Sequence, residues 1–151
     1  TRAEKKGIDW NYYKNQYKNK ESELQLIEDL TSNKFLYYPT YYKKPFHGYN
    51  NGNLNWDAAF EAVGATLSMS SNYWINVSPK DAHSWLRGNY KKNNKKYYNN
   101  YNKSYDSLQI LDLGCSVGIG TEFLNINLPE PQLTGLDLSP FFIAIAKFRA
   151  S

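Results

Sequence analysis

Ile110-Leu-Asp-Leu-Gly-Cys-Ser-Val-Gly-Ile-Gly120 is followed, after a short amphipathic stretch and a proline break, by Gln132-Leu-Thr-Gly-Leu-Asp137. The first run predicts an apolar strand that turns through glycines into a helix, and the second predicts a strand ending in a carboxylate. The spacing places the strands at 108–113 and 133–136 and the helix at 119–128, stopped by Pro129 and Pro131. Continuous apolar runs of this kind suit a parallel pair joined by a crossover helix. Open parallel sheets hold ligands outside the carboxyl ends of their strands, where both the glycine turn and Asp137 fall. Turn glycines let backbone approach a ligand without Cβ clash. An ionised carboxylate is acceptor-only and suits two neighbouring hydroxyls. Together these features describe a nucleoside site.

The dinucleotide fingerprint Gly-x-Gly-x-x-Gly is not met, because the glycines stand at 114, 118 and 120 with Ser116 between them. The spacing resembles motif I of the class I S-adenosylmethionine-dependent methyltransferases, commonly Asp/Glu-x-Gly-x-Gly-x-Gly, with Ser116 as the one departure. Asp137-Leu-Ser-Pro-Phe-Phe-Ile-Ala-Ile-Ala146 resembles the next segment of that family, where the acidic residue meets ribose and a helix follows. Ser139 as N-cap with Pro140 in the first helical position supports that helix start on physical grounds.

The resemblance implies an α/β, Rossmann-like fold that is incomplete here, with S-adenosylmethionine as cofactor. No metal site is expected, because His47 and His83 are too few and too separated for a cluster. The 114–118 turn, with Gly114, Cys115, Ser116 and Gly118, is expected to abut the methionine moiety. Asp137 is expected to bind ribose and Leu138 to pack beside adenine. Asp112 is expected to orient the turn or to meet the cofactor's amino group through water. Ser116, in a glycine slot, is expected to keep φ below zero and bring its hydroxyl to the cofactor's carboxylate or amino group.

Residues 1–107 read as a helical, aromatic-rich extension, and residues 108–151 as the first half of the cofactor-binding domain. Only two strands can be read where the family closes seven. The chain is therefore expected to be an amino-terminal fragment, inactive alone, with catalytic and acceptor-binding residues unknown. Its few strands would leave Leu111, Leu113 and Leu136 poorly sheltered.

Upstream, Tyr38-Pro-Thr-Tyr-Tyr-Lys-Lys-Pro-Phe-His-Gly-Tyr-Asn-Asn-Gly-Asn-Leu-Asn-Trp56 continues into Ala58-Ala-Phe-Glu61. This stretch is similar to the leader of a methyltransferase type 11-like group of plastid-bearing and cyanobacterial lineages. The resemblance implies methyl transfer to an unidentified acceptor, expected to be a small molecule, and leaves the compartment, cytoplasmic or plastid-type, open. The aromatics would either pack the upstream helices onto the sheet or form a lid beside the sulfonium, where cation–π contact is favourable. His47 or a tyrosine of this loop would be the candidate base. Two other readings stand beside the enzyme: a non-catalytic cofactor-binding relic, and a nucleic-acid methyltransferase using the basic half.

That half is basic because residues 108–151 hold Asp112, Glu122, Glu130 and Asp137 against Lys147 and Arg149, a balance of −2. The whole chain carries +4, which leaves +6 on the first 107 residues. Lys, Asn and Tyr dominate there, and AT-rich codons encode all three, so composition alone explains the charge without a binding face. Cys115 is the single cysteine, which excludes an intrachain disulfide, and it reads as a small apolar residue beneath the ligand. The amino-terminal Thr1-Arg2-Ala3-Glu4-Lys5-Lys6 has no apolar core behind it to make a signal peptide. Asn76-Val-Ser78 and Asn102-Lys-Ser104 match the glycosylation pattern, as chance allows in an Asn-rich chain.

Helices are expected at 21–30, with Leu24, Ile27 and Leu30 on one side, and at 56–74, capped by Asn55. A third is expected from Ser78-Pro79, carrying Trp85, Leu86 and Tyr90 on one side. It should run into a Lys/Asn/Tyr-rich stretch at 91–103 that reads as a solvated helix end or linker.

Overall fold

The computed structural model describes residues 3–74, 76–101, 104 and 106–151. After a short 3-10 turn come α1 (Trp10–Lys18), α2 (Glu21–Thr31), α3 (Trp56–Ser70) and α4 (Pro79–Asn100). The chain then alternates through β1 (Gln109–Leu113), α5 (Ile119–Asn127), β2 (Gln132–Leu136) and α6 (Pro140–Ala150). The strands pair in parallel, with Gln109 opposite Gln132 and Leu113 opposite Leu136. Parallel neighbours need a crossover, which α5 provides.

Helix starts follow their capping residues. The Asn55 side chain accepts from the Ala58 N–H at 2.9 Å, that of Ser78 from Asp81 at 3.1 Å, and that of Ser139 from Phe142 at 3.4 Å. Pro79 and Pro140 stand just inside α4 and α6, where a missing N–H costs nothing. The α1 helix has no counterpart among the sequence expectations, although Asp9 caps it by accepting from Tyr12 at 2.9 Å. Its apolar positions are tyrosines and a tryptophan scattered among polar residues, so periodicity carries little signal.

One core joins the upstream helices to the β1–α5–β2–α6 unit. Tyr17, Leu24, Ala58, Ala59 and Phe60 from α1, α2 and α3 cluster with Val117, Phe142 and Ile145. Helix α6 is the shared element, packed against both α2 and α3. Fully burying a side chain such as Phe60 or Ile145 stabilises by roughly 1.5–3 kcal/mol. Two expected apolar faces come out differently. Leu30 is 86% exposed while Leu24 is fully buried and Ile27 is partly buried against the core. Trp85 and Tyr90 are half exposed, and the α4 residue that is fully buried is Ala82.

The sheet is covered on one side only. Along β1, Ile110 and Asp112 are half-buried while Leu111 and Leu113 are open. Leu111, Leu113 and Leu136 are 58%, 69% and 56% exposed, as the small number of strands leads one to expect. The 91–103 stretch is helical through Asn100, and Asn102 and Lys103 lie outside the described residues, with Thr1 and Arg2. Among the described residues no helix is long and apolar enough to cross a membrane.

Candidate functional site

The carboxyl ends of β1 and β2 carry the two loops that matter. After Leu113 the chain turns under β2: the N–H groups of Gly114 and Cys115 donate to the Leu136 carbonyl at 2.7 and 3.1 Å. Gly118 then closes the turn on the Cys115 carbonyl at 3.0 Å and opens α5, its own carbonyl accepting from Glu122 at 2.8 Å. Gly114 and Gly118 both take left-handed backbone, with φ of 76° and 77°. A Cβ on Gly118 would come within 3.2 Å of Ala146, so the turn can approach α6 only through glycine. A Cβ on Gly114 would meet nothing within 4 Å, which leaves open space above that peptide.

Ser116 departs from expectation. Its φ is +51°, not negative. Left-handed backbone costs a residue with a Cβ roughly 1–2 kcal/mol. The compensation is that this conformation points the Ser116 N–H at Asp137, whose Oδ2 accepts it at 2.9 Å. The turn takes this slot left-handed, a conformation that glycine adopts without that cost.

Asp137 is thereby the hub between both loops, since its Oδ1 accepts the Ser139 N–H at 2.8 Å. Each carboxylate oxygen has one protein partner here and room for another, a carboxylate having about four acceptor positions. Leu138 stands beside it, 45% exposed. Asp112, at the end of β1, accepts from the Thr121 hydroxyl at 2.6 Å and so ties the strand to the first turn of α5.

Cys115 lies between the two acids and is 7% exposed. Burial, reinforced by Asp137 and Asp112, pushes its thiol up to about 11. It stays protonated at neutral pH and acts as packing. Its partner is Gly135, where an added Cβ would sit 2.9 Å from the sulfur. A glycine inside a strand signals such a close approach.

The upstream aromatic loop reaches this corner through particular residues. The Tyr38 hydroxyl donates to the Leu138 carbonyl at 2.9 Å, and Ser139 Oγ donates to the Asn53 carbonyl at 2.7 Å. Tyr42 stacks on Tyr38, with ring centroids 5.7 Å apart and planes 11° from parallel. Burial and the Asp137 carboxylate push the Tyr42 phenol up to about 12, against a side-chain hydrogen bond with Asn53 that lowers it. Tyr42 is thus a neutral hydroxyl and not a base at ordinary pH. His47 stands exposed at a turn closed by Phe46 and Tyr49, with its ring against Phe46. Phe35, Tyr37 and Tyr41 of the same region are largely exposed.

A cleft of about 800 Å³ opens between α5, β2 and α6, with Leu133, Ile126 and Ile143 on its walls. It takes in Cys115 and Gly118 but neither Asp137 nor Leu138, so it meets the candidate site only at the turn. Among the described residues no three of His, Cys, Asp and Glu stand close enough to hold a metal ion.

No protein-family model and no solved structure matches the chain. It is 46% identical over 46 residues to an uncharacterized phycocyanin operon protein W of Pseudanabaena tenuis (strain PCC 7409). That match covers 30% of this chain and 43% of the relative, so the alignment spans less than half of the curated protein.

Proposed function

We propose that the chain is the cofactor-binding part of a class I S-adenosylmethionine-dependent methyltransferase with a Rossmann-like fold, acting on a small-molecule acceptor. One observation carries the reading. The Asp137 carboxylate is held at the ends of two parallel strands by N–H groups from both loops, with an acceptor position left on each oxygen. A ribose offers two adjacent hydroxyls to such a group. The open space above Gly114 admits a ligand to the turn, and the exposed Leu138 offers an apolar surface to a purine. Asp112 and Asp137 also make the corner acidic, which favours a ligand bearing a sulfonium and an ammonium.

Bound S-adenosylmethionine supplies a methyl group already activated on sulfur. The residues present would bind and orient: Asp137 the ribose, the 114–118 turn the methionine end, Leu138 the adenine face. For an activated donor, holding the partners aligned accounts for much of the rate gain. The test is calorimetric titration of the chain with S-adenosylmethionine and S-adenosylhomocysteine, with NAD as control. Saturable binding of the sulfur nucleosides over NAD is expected, and equal or absent binding would overturn the reading.

A further inference from the structure

Tyr38 and Asp137 lie about a hundred residues apart in sequence, yet they act on the same peptide group. The Tyr38 hydroxyl donates to the carbonyl oxygen of Leu138 at 2.9 Å, and the N–H across that peptide bond, on Ser139, donates to Asp137 Oδ1 at 2.8 Å. The peptide unit is planar, so fixing its oxygen fixes the direction of its N–H. Hydrogen bonds in series also polarise one another, and the Tyr38 bond strengthens the one that holds the carboxylate. On the other side of the same residue, Ser139 Oγ donates to the Asn53 carbonyl at 2.7 Å. The corner is gripped from both sides by one upstream loop. Tyr42, stacked on Tyr38, keeps the ring in place.

We infer that Tyr38 is a positioning residue for the nucleoside site, aiming the Asp137 carboxylate at the ribose hydroxyls through the 138–139 peptide. The inference rests on the nucleoside reading above and extends it to a loop far upstream in the chain. It also assigns a use to the aromatic stretch: Tyr38 and Tyr42 are turned in toward the corner while Tyr37 and Tyr41, their neighbours, face solvent.

The experiment compares two ligands on two proteins: S-adenosylhomocysteine and its 2′,3′-dideoxy analogue, each titrated into the unaltered chain and into Tyr38→Phe. The substitution removes one hydroxyl from a half-buried ring and leaves the stack. In the unaltered chain the hydroxyl-bearing ligand should bind at least about tenfold tighter, as charge-assisted hydrogen bonds lead one to expect. In Tyr38→Phe that ratio should shrink by about threefold or more, with affinity for the dideoxy ligand nearly unchanged. A merely structural role would weaken both ligands alike and leave the ratio intact. As a second measurement, amide exchange at Ser116 and Ser139 should quicken in Tyr38→Phe. An undiminished ratio in Tyr38→Phe overturns the positioning role and leaves the nucleoside reading standing. No discrimination between the two ligands, or no binding, in the unaltered chain overturns both.

Discussion

Replacing Asp137 by alanine should separate what the carboxylate does for the fold from what it does for a ligand. It accepts two backbone N–H bonds, from Ser116 and Ser139, at 2.9 and 2.8 Å. Hydrogen bonds to charged groups contribute roughly 1.5–3 kcal/mol each when buried. Asp137 is only half-buried, so water can replace part of both, and a loss of about 1.5–3 kcal/mol in all is expected. For a chain of this size that lowers Tm by roughly 3–12 °C. Ser116 adds to the loss, because its left-handed backbone is held by the bond that disappears. Affinity for S-adenosylhomocysteine should fall separately by another 1.5–3 kcal/mol or so, about 10- to 150-fold. Thermal unfolding followed by circular dichroism gives the first number, and calorimetry below the variant's transition gives the second. Asp137→Asn keeps the shape and one carbonyl acceptor, and should fall between the two proteins in both measurements. An Asp137→Ala chain with unchanged Tm would refute the hub role. A lowered Tm with unchanged affinity would refute the ribose assignment alone.

Ser116→Gly removes a left-handed cost of roughly 1–2 kcal/mol and adds backbone entropy of about 0.5–1 kcal/mol to the unfolded state. Tm should therefore hold or rise by a few degrees, whereas a clear fall would mean that the serine side chain supports the turn. Cys115, buried with its thiol pushed up to about 11, should react with iodoacetamide at pH 8 far more slowly than the denatured chain does. Equal rates would show that the turn is open. His83 is held below its usual value first by burial and then by Arg87, with Glu122 opposing. The unfolded chain thus binds more protons on acidification, and stability should decline as pH drops through the usual histidine range near 6.5. In His83→Gln the decline across that window should flatten; denaturant titrations at pH 7.5 and 5.5 would reveal it, and an unchanged slope would discard the assignment.

Much of the candidate site was legible because its information is local. The turn glycines, the apolar runs and the caps Asn55, Ser78 and Ser139 act over three or four residues, so spacing alone places strand ends and helix starts. Asp137 could be marked for the same reason, as a carboxylate at the end of a strand. Ser116 was misjudged because residue type argues against left-handed backbone, and only the long-range bond to Asp137 makes that conformation worthwhile. Helical periodicity finds the apolar side of α2 but not which of its residues a distant neighbour covers, and Leu30 is left exposed.

The sequence by itself determined the alternation of strand and helix from Gln109 to Ala150, the turn between Leu113 and Ile119, and the acid that faces it. These follow from backbone sterics and hydrophobic period, which a few neighbours decide. Tertiary structure alone decided that Phe60 and Leu24 share a core with Ile145, that Gly135 makes room for Cys115, and that Tyr38 reaches Leu138. Those contacts join residues far apart in the chain through burial and single hydrogen bonds, and nothing in residue spacing encodes which distant partner satisfies a given donor.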